Sequence, residues 1–569
     1  MSNEDTIKQL ILENAVKYKG KADKKFLFGA VLAKFPEYKT KQQELHDLLD
    51  KQIDQINALS IDNQIIQLKS LNPSFFDKKE KEDRNIFAFL HIKQGDKVIS
   101  AFPPSPEKYY HIGHAKAILL NYLLAQQYGG KFYLRFEDTN PEKVLPEFYQ
   151  IMLEDIGWLG VAWDQVQYAS DYIDLFISSA EKLIKEDKAY MCFCTAEIAS
   201  EKRGKGEDCD CRKFSVEENL KFWKELPSYP EGKAVLRLKI NMKHKNTRMR
   251  DPAIFRRIDC VHPRIGNKYN IYPIYDFQNP IMDGYFNITH RLRTVEFEMA
   301  SELHHYIRKS LGLYDTYTYE FARLNFEGTE SSGRVIREKV NSGELIGWDD
   351  PSLPTLRALK RRGFTPEAIK QMVVESGITK SSGSTLTWDT LIKYNKRVLN
   401  DTSKRFFFIK DPVKLEVKGD INKEFDLEMH PSLSLGRRDF ISNGSYYLEK
   451  EDITSLKEGT LVRLMDNINF IYDSKTKFGN FHSENYLKFK EYTEEKKIIH
   501  YLPVDDKQLV KATIFMPDHK MLSGLAEDNI YTLEIGEIIQ FERFGFCRLD
   551  SITKDKETAK KIYNFWFTH

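Results

Sequence analysis

No stretch of this chain approaches eighteen consecutive apolar residues, so nothing in it reads as a membrane-spanning helix. Cysteine is scarce, with six in 569 residues, which excludes a disulfide framework as the organiser of the fold. An excess of one charge is missing too: 86 Lys+Arg against 84 Asp+Glu leave a formal net charge of +2. Bulk charge therefore points to no polyanion partner, and any nucleic-acid surface has to come from local clusters of basic residues. There is no internal repeat and no low-complexity tract. The opening residues, MSNEDTIKQL, lack the basic start and apolar run of a signal peptide, so the expectation is a cytoplasmic chain with no membrane partner. Core-forming material is plentiful, at 41% hydrophobic and 13% aromatic residues. A chain of this length exceeds one hydrophobic core, and roughly three to five domains are expected.

Residues 1 to 70 read as helices, because Ile7, Leu10, Ile11 and Ala15, and then Leu45, Leu48, Leu49, Ile53 and Ile56, recur at helical spacing. The polar run 77–85 (DKKEKEDRN) reads as a linker or a solvated helix face. Residues 97–102 (KVISAF) alternate like a strand, and Pro103, Pro104 and Pro106 then interrupt regular structure. A helix is predicted over 113–128, stopped by Gly129-Gly130, and a second strand over 131–136 (KFYLRF). Strand, loop, helix and strand in that order open a parallel α/β fold, whose ligands bind at the carboxyl ends of strands beside the first helix. Helical periodicity returns over 352–400. Beyond 405, short β-rich runs (405–409, 446–448, 460–464, 509–515, 530–535, 538–541) predict one or two small barrels.

The chemistry-bearing stretch is FPPSPEKYYHIGHAK, residues 102–116. His111 and His114 flank Gly113 where the proline-stiffened loop enters the helix. A triphosphate here would meet free backbone N–H groups and the positive end of the helix dipole. The imidazoles could donate to phosphate oxygens as charge grows on them, and the glycine would admit a flat ring. The alternative is that the two histidines are helix caps or core residues.

The order Phe-Pro-Pro-x-Pro, His-Ile-Gly-His, then Leu134-Arg135-Phe136-Glu137-Asp138-Thr139-Asn140-Pro141 resembles the class I aminoacyl-tRNA synthetases of the glutamyl/glutaminyl branch. Met249-Arg250-Asp251-Pro252 and Tyr272-Pro273-Ile274-Tyr275-Asp276-Phe277 extend the likeness. Gly347-Trp348-Asp349-Asp350-Pro351, Leu353-Pro354-Thr355-Leu356-Arg357 and Gly536-Glu537-Ile538-Ile539-Gln540-Phe541-Glu542-Arg543 are similar to the archaeal and eukaryotic glutamyl subgroup.

The resemblance implies a multidomain α/β and β chain whose catalytic domain is Rossmann-type. Its expected divisions are an N-terminal helical region (1–90), a first catalytic half (91–190), an insertion holding the tRNA acceptor end (191–268) and a second catalytic half (269–335). A helical stem-contact region (336–403) and β-barrel anticodon-binding domains (404–569) follow. It implies ATP-dependent joining of glutamate to tRNA(Glu) through an adenylate, with Mg2+ accompanying ATP, in a monomer; charging of tRNA(Gln) stays open. By position, Pro104, His111, Gly113, His114 and Ser332 would contact ATP. Ser105 and Glu137 would hold the α-amino group, for which hydroxyl and carboxylate acceptors are suited. Tyr275 and Arg293 would hold the side-chain carboxylate, arginine being the natural bidentate partner. A core tyrosine and a strand-end salt bridge are the plain alternatives for the last two.

Departures are as informative. Ala101 stands where the family has an arginine, Glu107-Lys108 where it has Ser-Gly or Thr-Gly, and Asp283-Gly284 where it often has Asp-His. The second signature loop usually ends in Leu-Ser-Lys-Arg, and here reads Glu330-Ser331-Ser332-Gly333-Arg334. Gly333 takes the place of the mobile lysine; loss of one such donor costs roughly two to three orders of magnitude in rate. Arg334 is the candidate substitute, its plain alternative being a solvated charge. A second reading follows from these departures: a tRNA-binding protein on a synthetase scaffold. A third, adenylylation of another substrate, sits poorly with a whole anticodon-binding region.

Cys192, Cys194, Cys209 and Cys211 form two Cys-x-Cys pairs, enough thiolates to close a tetrahedral zinc site without an open position. Cys260 and Cys547 read as buried residues. Basic residues interleave with aromatic or apolar ones over 239–257 and 357–362, patterns that hold phosphates without reading bases, or else form solvated faces.

Overall fold

The protein is described from a computed structural model covering residues 3–17, 20–72, 75, 85–93, 95–329, 332–380, 385–419 and 423–569. Nearly all of the polar run 77–85 lies outside the described residues. The chain divides into a unit Met1–Ile86 and a unit Phe87–His569.

The first unit is helical: α1 (Asn3–Lys17), α2 (Lys24–Lys34), α3 (Gln42–Asn57) and α4 (Ile61–Leu71). Ile7, Ile11, Ala15, Leu45, Leu49, Ile53 and Ile56 lie in one apolar core with Leu27, Val31 and Leu68, as their spacing predicts. Ser60 caps α4, accepting from Asn63 N–H, and buried Gln64 donates to the Ile56 carbonyl at 2.8 Å, tying α4 to the end of α3.

The second unit opens with β1 (Ile99–Phe102), α5 (Ile112–Gln127), β2 (Lys131–Phe136), α6 (Glu147–Trp158), β3 (Gln165–Tyr168) and α7 (Ile173–Lys185). An antiparallel sheet then runs through β4 (Ala189–Cys192), β5 (Val235–Leu238), β6 (Ala253–Arg257) and β7 (Ile271–Pro273). The helices α8 (Ala196–Lys205) and α9 (Val216–Glu225) lie between β4 and β5. After α10 (Tyr275–Tyr285) the chain returns to the first sheet through β8 (His290–Thr294), α11 (Glu298–Leu311) and β9 (Tyr317–Phe321). That sheet has the order β3-β2-β1-β8-β9 with parallel pairing throughout. The order reverses at β1, the point where open α/β sheets bind ligands.

Helices α12 (Gly333–Asn341), α13 (Leu356–Arg362), α14 (Pro366–Ser376) and α15 (Trp388–Asn400) lead to the β region. There, two seven-stranded sheets each begin and end on segments adjacent in sequence. One ends on 405–406 and 408–410, the other on 496–499 and 502–503, so each curls into a barrel around its own core. The predicted strands over 509–515 and 538–541 form as expected. The strand expected over 530–535 does not: Asp528–Thr532 is a 3₁₀ turn that drops Ile530 and Leu533, three apart, into the barrel core. Cys547 is buried as expected, but Cys260 is only half-buried.

The basic run over 357–362 is largely engaged within the chain. Arg361 makes a two-pronged pair with Asp550 at 2.9 Å and reaches Asp349 at 2.8 Å. Arg362 is buried, donating to the carbonyls of Thr568 and Pro351. Neither a free phosphate-binding patch nor a solvated face describes these two arginines; they join α13 to the barrel.

Candidate active site

The carboxyl ends of β1 and β2 meet the start of α5, and backbone bonds hold the proline-stiffened loop between them. Glu137 N–H donates to the Pro104 carbonyl at 2.7 Å, and Leu145 N–H to that of Pro106 at 2.9 Å. Ser105, half-buried beside Pro104, is thereby brought to the end of β2 where Glu137 sits. On the other side, Ile112 N–H donates to the Pro354 carbonyl and Leu356 N–H to that of Tyr110. Tyr109 stacks on Trp348 with ring centroids 4.8 Å apart. The motifs spanning 347–357 therefore prop the histidine loop from behind.

His111 is the N-cap of α5 and His114 its third residue. Gly113 N–H donates to His111 Nδ1 at 3.0 Å, and His111 N–H donates to His114 Nδ1 at 3.3 Å. The histidines are thus helix caps, and capping has a chemical consequence. A ring nitrogen that accepts does not carry the proton, so in both rings the proton resides on Nε2. Burial, with Lys108 and Arg323 nearby, lowers His111 to about 4. Burial, with His111, Lys108 and Arg323, also takes His114 well below its ordinary value. Near neutral pH each imidazole is an uncharged donor through Nε2. Gly113 is required by the cap itself, since a Cβ there would lie 2.8 Å from His111 Cε1.

Beside the caps, strands β2 and β8 and helix α10 build a buried polar pocket. Glu137 Oε1 accepts from Arg135 Nε at 3.0 Å and Asn279 Nδ2 at 3.1 Å. Among the described residues its Oε2 has no hydrogen-bond partner, and neither have Arg135 Nη2, Asn279 Oδ1 and Arg293 Nε. Asp283 accepts from Arg135 at 2.8 Å and from Arg291 at 2.9 Å, both on Oδ1. Burial opposes its ionisation, but the two guanidiniums bring Asp283 down to about 2. Burial pushes the Tyr275 phenol up to about 12, with Glu137 adding to it and Arg291, Arg293 and Arg135 offsetting it. Buried donors and acceptors left without partners beside such a phenol are what a polar, doubly charged ligand would complete.

Arg293 shares this pocket. It contacts His304 Nδ1 at 3.2 Å, donates to Ser301 Oγ, and has Nε 3.8 Å from Glu320. His304 is lowered to about 4, chiefly by burial, so it is neutral and accepts on Nδ1. Its Nε2–H then faces Asp276 at 3.1 Å. Asp276 and His304 thus orient the arginine.

The structure brings together Glu137, Tyr275 and Arg293, the residues to which the resemblance pointed: Asn279 of α10 bonds Glu137, and His304 contacts both Tyr275 and Arg293. Ser332 is the N-cap residue of α12, while Glu330 and Ser331 lie outside the described residues. Arg334 stands on α12 with its side chain 85% exposed and Nε 3.6 Å from Glu338, which is the solvated-charge alternative. Among the described residues a Cβ on Gly333 would approach only Trp348, at 4.0 Å. Gly284 is explained by packing: its Cβ would fall 2.6 Å from Leu313 Cβ, so no histidine fits there. Sequence reasoning missed Asn279, Arg291 and the structural part of Arg135. The available signal was arginine at every second position of β8, one strand from the arginine of β2.

Away from this pocket, the thiols of Cys192, Cys194, Cys209 and Cys211 all lie within 4.8 Å of one another. Cys192 and Cys209 are 4.0 Å apart, close to the roughly 3.8 Å edge that four sulfurs make around one zinc at its usual bond length. The Phe193 amide also donates to Cys211 Sγ at 3.4 Å, the support given to metal-ligating thiolates. The donor set fits a metal ion.

A parallel α/β fold whose switch point holds a helix start capped by two neutral histidines, with a pocket of carboxylates and arginines on the neighbouring strands, is suited to an anionic ligand. The chain belongs to the class I tRNA synthetases (E and Q). Residues 97–401 match that family's catalytic domain, and residues 403–489 and 485–550 its anti-codon binding domains. It is 37% identical to the glutamate–tRNA ligase of Methanocaldococcus jannaschii, over 97% of this chain and 98% of that one. It is also 37% identical to the glutamate–tRNA ligase of Pyrococcus abyssi, over 96% and 97%. The glutamate–tRNA ligase of Methanothermobacter marburgensis is 35% identical over 97% and 98%. Among the described residues no helix is long and apolar enough to cross a membrane.

Proposed function

We propose that this chain is a glutamate–tRNA ligase, acting as a cytoplasmic monomer on ATP, glutamate and tRNA(Glu). The observation that supports it best is the pairing of the capped histidines with the Glu137–Tyr275–Arg293 pocket at the switch point of the sheet. Glutamate enters with its ammonium toward Glu137 Oε2 and Ser105, and its side-chain carboxylate toward Tyr275 and Arg293. An oxygen of its α-carboxylate attacks the α-phosphorus of ATP, the bond to the β-phosphate breaks, and pyrophosphate leaves. The Nε2–H groups of His111 and His114 donate to phosphate oxygens during that step, stabilising charge where it develops. Pro104, Gly113 and Ser332 line the nucleotide, and Mg2+ offsets the triphosphate charge. A hydroxyl of the terminal tRNA ribose then attacks the carbonyl carbon and AMP departs. The four-cysteine cluster holds zinc as a structural ion of the insertion, and the two barrels bind the anticodon end.

A second reading, tRNA binding without ligation, is favoured by one arrangement: Gly333 carries no charge and Arg334 faces solvent beside Glu338. Charging with labelled glutamate, with glutamine in parallel and with tRNA(Glu) and tRNA(Gln) tested separately, decides between them. ATP- and tRNA-dependent glutamate incorporation is expected. Retained tRNA binding with no incorporation at high enzyme concentration would establish the second reading.

A further inference from the structure

We propose that Arg291 is a specificity-determining residue of the amino-acid pocket, supplying from β8 a carboxylate-binding guanidinium beside Ala101 of β1. The proposal rests on the reading of this pocket as a glutamate site.

Strand register carries it. β1 and β8 are parallel neighbours with Ser100 opposite His290, so Ala101 and Arg291 stand side by side one step on. Ser100 donates to the Asn121 carbonyl and therefore faces α5. Side chains alternate along a strand, so Ala101 faces the opposite layer, which α10 covers. Arg291 lies on that same face, because its Nη1 reaches Asp283 of α10. Arg135 of β2 reaches the same oxygen, so the two strands that flank β1 converge there. Ala101 packs with Ile99 and Ile288 and contributes only a methyl group. Positive charge at this place has to come from an adjacent strand.

Arg291 is placed to provide it. It is 2% exposed, and Asp283 holds one nitrogen while its Nε and Nη2 make no hydrogen bond among the described residues. Arg293 is more committed, with Nη1 against His304 and Nη2 on Ser301. Arg291, Arg293 and Arg135 each offset the upward push of burial on the Tyr275 phenol, so all three act on the same neighbourhood. The α-carboxylate of glutamate is consumed in adenylate formation, so the side-chain carboxylate must be held by fixed charge. Two guanidiniums at right height on β8, two residues apart, offer a doubly anchored grip that an uncharged amide would not satisfy.

The test is steady-state charging by the full chain, comparing wild type with R291A, R291K and the relocated pair A101R/R291A. In R291A the KM for glutamate is expected to rise roughly 30-fold or more, with KM for ATP and tRNA within threefold of wild type. R291K, which keeps the charge but not the fork, falls between, and the relocated pair recovers roughly tenfold or more of the lost kcat/KM. A glutamate KM within threefold of wild type in R291A, or no recovery in the relocated pair, overturns the proposal. If R291A does not fold, R291K and the relocated pair decide by the same glutamate KM. Wild type that charges no glutamate overturns the function proposed above instead. Arg291 is then judged by the rise in melting temperature on adding glutamate: reduced in R291K if the proposal holds, unchanged if it does not.

Discussion

His114 Nδ1 accepts the backbone N–H of His111 at 3.3 Å, so the second histidine of the pair caps the first. One hydrogen bond closes the helix start and also commits the His114 proton to Nε2. Structure and chemistry therefore use different nitrogens of the same ring, and they can be separated by substitution.

Replacing His111 by Asn tests that separation. Asparagine is a strong N-cap, so unfolding free energy is expected to stay within roughly 0.5 kcal/mol of wild type in urea titration. The rate of adenylate formation should nevertheless fall roughly 100-fold, because the Nε2–H donor is gone. A stable variant with an unchanged rate would remove His111 from the chemistry.

Stability should fall as pH drops from 6.5 to 4. His111, His304, His500 and His569 are all held near about 4, chiefly by burial. Across that window the unfolded chain binds more protons than the folded one, so their contribution is full above 6.5 and is lost on acidification. Asp155, raised to about 6 by burial, works in the opposite sense, as do Glu137, Asp138, Glu449 and Glu527, which burial also raises; the measured slope is the net of the two groups. Denaturant titrations at several pH values measure it, and H304F should flatten the slope.

Gly333→Lys should be accommodated without loss of stability, since among the described residues only Trp348 is near and α12 begins at this residue. If a missing cation limits pyrophosphate departure, single-turnover adenylate formation rises roughly 10- to 100-fold while KM for glutamate is unchanged. No rise would mean that another group carries that charge.

One zinc ion per chain is expected on metal analysis, lost in the C209S/C211S variant or after chelation. The KM for tRNA should then rise more than the KM for ATP, because the cluster lies on the antiparallel sheet of the insertion rather than at the histidine caps. Equal effects on both would argue against an ion confined to the insertion.

Gly284→Ala places a methyl 2.6 Å from Leu313 Cβ and 3.1 Å from the Tyr314 carbonyl. It should cost about 1–3 kcal/mol in urea unfolding. A neutral substitution would show that the loop between α11 and β9 yields easily.

Much of the site was legible because it is local. The helix stopped by paired glycines, the strand 131–136 that follows it, and the histidine spacing all depend on neighbours within a turn or two. Glu137, Tyr275 and Arg293 were legible only through their resemblance to a family. The Asp283 junction was not, because a carboxylate shared by arginines from two strands exists only once the sheet has formed. Residues 530–535 were misread for a related reason. Their apolar content suits a strand, but three-residue spacing into a curved barrel wall favours a turn. Arg361 and Arg362 looked like an open basic patch until the barrel supplied Asp550 and the Thr568 carbonyl.

The prop behind the histidine loop also bears on the order of synthesis. Tyr110 and Ile112 leave the ribosome early, but their backbone partners at Leu356 and Pro354 are made only after more than half the chain. The neighbour strand β8 is also late. A nascent chain can therefore display the histidine pair long before anything holds it in place. Competence should arrive abruptly, once residue 356 has cleared the exit tunnel, and a pause placed after that codon should favour correct closure over trapping.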